Sequence, residues 1–180
     1  MKKLLLSLAC IVGLGLQAQI YSLSSGTSQF YSSTILEDIE ATSDELEGLM
    51  DLDNKEFYFE VRIKSFEFAK ALMQEHFNEN YMESDKYPTG SFSGKFMGDM
   101  DLSQDSTYQS KLTGILDIHG EKRDRVIDLV VEVKEGIISL QSNFRVDLKD
   151  HKIKIPRIVF KNIAEVIDVK VNAILEPYKE

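Results

Sequence analysis

The sequence predicts an all-β protein whose antiparallel strands close into a barrel or stack as a sandwich, with one short helix. Two observations carry the prediction. Between Phe57 and Leu175, apolar and polar residues alternate with a period of two in five separate runs, the spacing that gives a strand one buried and one solvated face. Gly-bearing turns separate several of these runs, and only one stretch shows convincing helical spacing. The 180 residues hold no internal repeat or linker, so a single core is expected.

The chain starts with a recognisable leader. Lys2 and Lys3 precede an apolar stretch from Leu4 to Leu16, followed by Gln17, Ala18 and Gln19. A charged start, a short apolar middle and a small residue at the boundary make an export signal, and the stretch is shorter than the ~20 apolar residues of a membrane helix. Cleavage after Ala18 is expected, leaving residues 19–180 as the mature domain, periplasmic or secreted. Cys10 is the only cysteine and falls within the leader. Acylation of Cys10 as a lipoprotein anchor is the competing reading, and Ser7, Leu8 and Ala9 ahead of it match that signal poorly. The mature chain is then expected to lack disulfides, thiolate nucleophiles and cysteine-bound metals. It keeps 19 basic and 30 acidic residues, a net charge of −11. Such a balance opposes nucleic acid, whose binding rests on Lys and Arg displacing counterions from phosphates.

The elements follow in order. Residues 28–43 read as a hairpin, and the acidic stretch 43–54 as a surface loop into which Leu46, Leu49 and Met50 dip. Phe57, Phe59, Val61 and Ile63 alternate with Tyr58, Glu60, Arg62 and Lys64, the first clear strand. The helix is placed at residues 69–82, where Leu72, Met73, His76 and Phe77 lie near i, i+4 spacing among good helix formers, with Tyr81 in the last turn. Residues 84–88 stop it, and Phe92 and Phe96 belong to the strand beyond. Three strands come next: Leu112 to Ile118, Ile127 to Val133, and Ile138 to Leu148, the last carrying Leu140 and Phe144 on its apolar face. His119-Gly120 and the charged residues 121–125 mark one reversal, and Glu135-Gly136 marks a hairpin. A weak helical turn is expected at 162–166, before a final strand bearing Ile167, Val169, Val171, Ala173 and Leu175. Closing the sheet would remove its exposed edges.

Signs of catalysis are few. The chain has no Gly-x-Ser-x-Gly elbow and no glycine-rich phosphate loop. Asp51-Leu52-Asp53-Asn54 superficially resembles a calcium loop but lacks the following glycine and the late glutamate. Asp99 and Asp101 pair only within a loop-like stretch. The protein is therefore expected not to be an enzyme. His76, His119 and His151 have no metal-motif spacing, and separate hydrogen-bonded imidazoles are the simpler reading. If folding gathers them at one end of a barrel, they would form a zinc or iron site. A periplasmic metal-binding or redox-linked protein is thus the alternative.

The segment Leu112-Thr113-Gly114-Ile115-Leu116-Asp117-Ile118-His119-Gly120 is the most distinctive in the chain. Together with Leu72, Phe77, Tyr81, Tyr87-Pro88 and Phe92 ahead of it, it resembles the bacterial YceI-like family of exported lipid- or polyisoprenoid-binding proteins. The resemblance spans most of the mature chain. It implies a lipocalin-like, eight-stranded antiparallel barrel with one short helix near its mouth, enclosing an elongated apolar pocket for an isoprenoid or other amphipathic lipid. No cofactor is implied beyond that lipid, and membrane contact would be transient. The alternation nominates Phe57, Phe59, Val61, Ile63, Phe92, Phe96, Leu116, Ile118, Leu140, Phe144, Val169 and Val171 as inward-facing. With Phe77 and Tyr81 at the mouth, these are the expected ligand contacts.

Overall fold

Strand parity builds the wall. On strand β8 (Glu121–Lys134), Ile127, Leu129, Val131 and Val133 are buried, while Val126, Asp128, Val130, Glu132 and Lys134 face solvent. The same alternation runs through β9 (Ile137–Asp147) and β10 (Val166–Pro177). The computed structural model describes residues 20–159 and 161–179, so the leader at residues 1–18 lies outside the described residues.

The remaining strands are β1 (Ile20–Ser33), β2 (Asp38–Ser43), β3 (Leu46–Asp51), β4 (Glu56–Arg62), β5 (Glu67–Phe68), β6 (Thr89–Phe96) and β7 (Ser106–Ile118). Neighbouring strands pair antiparallel, and eight of them form a ring in the order β1, β3, β4, β6, β7, β8, β9, β10. Pairing of β1 with β10, from Tyr21 opposite Pro177 to Tyr31 opposite Asp168, closes it. β2 and β5 extend the wall at one end, where β2 takes over from β3 as the partner of β1. The protein is thus a closed eight-stranded antiparallel barrel with one short helix. Its outward positions are largely charged or polar, the reverse of the apolar outer band of a membrane-spanning barrel.

Glycine permits two tight features. His119-Gly120 and Glu135-Gly136 both have positive φ, at 54° and 71° and at 52° and 78°, the geometry of two-residue hairpin turns. Gly94 and Gly114 face each other across β6 and β7, where an added Cβ would collide with the carbonyl of Thr113 or Ser93.

Several segments depart from the sequence reading. The stretch 43–54 is not a loop, since β3 pairs with β4, placing Met50 opposite Phe57 and Leu46 opposite Val61. Leu46 and Met50 are buried, whereas Leu49 points outward. Gly48 hides the alternation because its missing side chain makes room for the Phe59 ring. The charged run 121–125 belongs to β8, paired with the end of β7, rather than to a turn. The helix is shorter than expected: α1 covers Ala71–His76 and passes into a π-helical turn, Phe77–Tyr81. Widening follows from the Met82 amide donating to the Phe77 carbonyl at 2.9 Å and the Asn78 side-chain amide donating to the Gln74 carbonyl at 2.9 Å. Residues 162–166 contain no helical turn; Val166 already begins β10, and a 3-10 turn lies earlier at Arg157–Val159.

The two ends of the barrel differ. At one, Met50, Phe57, Phe96, Leu102, Val131, Val133, Ile138 and Leu175 pack into a continuous core. The segment joining β6 to β7 tucks Leu102 into it and is held by the Tyr108 hydroxyl, which donates to the Asp101 carbonyl at 2.7 Å. At the other end lie α1, the β7–β8 turn and the long β9–β10 connection.

Candidate ligand cavity

Between the packed floor and the helical end the barrel is hollow. The cavity has a volume of about 560 Å³, within the range of small-molecule sites. On β9 its lining extends from Leu140 to Val146, a span of roughly 20 Å along the strand or ~15 Å along the axis of a tilted barrel. That shape suits an extended chain better than a compact ligand.

Twelve of the fourteen residues nominated from sequence line this space: Phe59, Val61, Ile63, Phe77, Tyr81, Phe92, Leu116, Ile118, Leu140, Phe144, Val169 and Val171. Phe57 and Phe96 do not. Both are 4% exposed and belong to the floor, with Phe57 packed edge-on to Phe92 at 4.9 Å between centroids. Two hydroxyls in the wall are already engaged. Ser142 donates to the Asp128 carbonyl at 2.7 Å, and Ser32 accepts the Ala164 amide at 2.9 Å. The interior therefore offers mainly dispersion contacts and exclusion of water.

An aromatic cluster that sequence reasoning missed forms the rim. Phe77 packs against Phe30, Phe66 and Phe68 at centroid distances of 5.3, 5.8 and 5.0 Å. These rings come from β1, the turn after β4, β5 and the π turn, so one cluster ties the helical segment to the wall. The spacing Ile63, Phe66, Phe68 was its only local signal. Beside it, Glu37 accepts from Lys70 Nζ at 3.0 Å and from the Asn162 amide at 3.2 Å. Those two donors hold the Glu37 carboxyl below the ordinary carboxylate range.

The histidines separate into two places. His76 is exposed on α1 at the cavity rim. His119 and His151 meet under the helical end: His119 Nδ1 lies 3.0 Å from the His151 carbonyl, and its Nε2 lies 2.8 Å from Glu83 Oε2. Tyr87 stacks edge-on against His119 at 4.5 Å. His151 is 0% exposed; its Nδ1 faces the carbonyls of Ile118 and Glu121 at 3.2 and 3.1 Å, and its Nε2 has no partner. This pattern fixes the proton on Nδ1. No group of three or more His, Cys, Asp or Glu side chains placed to hold a metal occurs among the described residues, so the three-histidine reading gains no support.

Burial lowers the His151 pKa, and nearby Arg123 acts in the same direction, against the two backbone carbonyls and Asp150. The unfolded chain then takes a proton at an ordinary imidazole pKa while the folded one resists it. Stability contributed by neutral His151 is therefore complete above that value and is lost as pH falls below it. The thermal midpoint should drop between pH ~7.5 and ~5.5, a window above the titration of ordinary carboxylates. His151→Asn, which keeps a donor for the two carbonyls but cannot titrate, should flatten that slope; an unchanged slope would remove His151 as its cause.

An antiparallel barrel with a polar exterior, a sealed floor and an apolar hollow open beside a short helix has the build of a small-ligand-binding barrel. The chain belongs to the YceI-like family, whose domain matches residues 21–175. Among solved structures, it is similar to a polyisoprenoid-binding domain from Saccharophagus degradans implicated in plant cell wall breakdown. That match has a TM-score of 0.76 at 15% identity, over 90% of this chain and 100% of that one. Similarity to BcnA of Burkholderia cenocepacia gives a TM-score of 0.69 at 11% identity, covering 83% of this chain and 95% of that one. The YceI protein of Campylobacter jejuni matches with a TM-score of 0.53 at 20% identity, over 76% and 82% of the two chains. No curated protein matches the chain by sequence.

Proposed function

We propose that this protein is an exported, non-enzymatic carrier or sequestering protein that holds an isoprenoid or other amphipathic lipid by its apolar tail. The observation that carries the reading is the elongated cavity, dry-walled and sealed below, whose charged groups are concentrated towards the open end. Each methylene transferred from water into such a space contributes ~0.8 kcal/mol, and a long tail accumulates enough to bind without directional bonds. The headgroup would remain near Lys70, Glu37 and Asn162, where polar atoms can replace water. Membership of the YceI-like family and the likeness to a polyisoprenoid-binding domain support a lipid as the ligand class. Export rests on Lys2, Lys3, the apolar stretch and Ala18, and the family domain begins at residue 21, just beyond the proposed cleavage point. In this reading the lining residues named above are the ligand contacts, and Phe57 and Phe96 limit the depth the tail can reach.

Displacement of a fluorescent polyene fatty acid from delipidated protein tests the assignment. A long-chain prenyl alcohol should compete with one-to-one stoichiometry, and a short, water-soluble prenyl alcohol should compete far less well. Failure of the polyene and of the long prenyl alcohol to bind would sink it.

A further inference from the structure

The rim carries features that holding a lipid does not itself require. Ile35 and Leu36 occupy the tip between β1 and β2 and are strongly exposed, at 103% and 62% of their full accessible area. Leu72, on α1 across from them, is exposed as well. The tip stands beside the cavity mouth: Glu37 is bonded to Lys70 and Asn162, and Ser32 to Ala164. Next to it runs the β9–β10 connection, which contributes Leu148, Ile153, Val159 and Ile163 to the cavity. Residues 149–161 hold five basic residues and one acidic one in a chain of net charge −9. All five basic side chains are exposed, and Lys149, Lys154, Arg157 and Lys161 have no carboxylate partner among the described residues. On the barrel wall Lys95 and Lys111 are paired, whereas Lys134 and Lys170 have no carboxylate partner among the described residues.

We infer that this side of the mouth docks on an anionic lipid bilayer, so that the cavity opens onto the surface from which its ligand comes. The inference rests on the lipid-binding reading above. Two protruding aliphatic side chains are too small an area for a stable protein interface but suit insertion among acyl chains, with adjacent cations on the headgroups. Neither signal suffices alone; together they give reversible adhesion, which a shuttling carrier needs.

Flotation of the mature chain with vesicles of phosphatidylethanolamine and phosphatidylglycerol tests the inference. The chain should float with them, should not float with phosphatidylcholine vesicles, and should detach at ~0.5 M salt, where screening shortens electrostatic reach to a few ångströms. Ile35→Asp with Leu36→Asp, and separately Lys154→Glu with Arg157→Glu, should each weaken flotation about tenfold or more. Both variants should bind the polyene probe as the parent does, which also shows that they are folded. Lys95→Glu with Lys111→Glu on the wall should float normally. If the parent binds the probe but does not float, docking is overturned while the cavity reading stands. If it floats but binds no probe, the cavity reading fails and docking survives. A salt-insensitive dimer abolished by Ile35→Asp, without flotation, would assign the tip to a second copy and overturn the membrane assignment.

Discussion

Replacing Ala173 by tryptophan will weaken lipid binding roughly a hundredfold or more and leave the barrel folded. Ala173 sits on β10 between Gly26 of β1 and Leu140 of β9, and it lines the cavity. An indole projected from this position occupies space that the tail would fill. Displacing four methylenes, at ~0.8 kcal/mol each, lowers affinity by roughly a hundredfold or more. Overpacking a filled core costs ~1–3 kcal/mol, but here the ring enters a void and gains contacts, so the thermal midpoint should hold or rise. Probe displacement and thermal unfolding measured on the same preparation separate the two effects. Retained affinity with a bulkier wall would mean that the ligand lies elsewhere.

Phe77→Ala should have the next largest effect, on stability and on lipid retention together. Its ring contacts Phe30, Phe66 and Phe68 and is the main aromatic link between the π turn and the wall. Trimming it removes roughly 3 kcal/mol of packing. A cap that merely plugs the barrel would show that loss alone. A lid that retains the tail would also release ligand about tenfold faster, because an apolar contact at the exit disappears. Met50→Ala is the control: Met50 is 1% exposed, does not line the cavity, and its truncation costs a comparable amount. Dissociation rates that change equally in the two variants would reduce Phe77 to a structural plug.

What could be read in advance was parity. The apolar positions of β4, β7, β8, β9 and β10 follow from alternation, because a strand in a closed wall has only an inside and an outside. Depth could not be read. Phe57 and Phe59 share a face by sequence, yet one seals the floor and the other lines the hollow, since height along the barrel axis depends on register and tilt. Only the second half of β1 was legible, within the hairpin expected at residues 28–43. Its Ser28 and Ser32 point inward and are buried, so the strand lacks an apolar stripe and is held by pairing with β10, β2 and β3. The rim cluster was hidden, because Phe30, Phe66, Phe68 and Phe77 lie on separate elements that only the folded barrel brings together. The 121–125 charges suggested a turn, although two-residue turn geometry at His119-Gly120 had already completed the reversal.

The most direct measurement is native mass spectrometry of the protein purified without detergent from the cells that make it. The account predicts one additional mass per chain, extractable into organic solvent, in the range of an isoprenoid or other long-chain lipid, and absent from Ala173→Trp. A chain carrying no lipid mass, or the mass of a metal ion in its place, would contradict it.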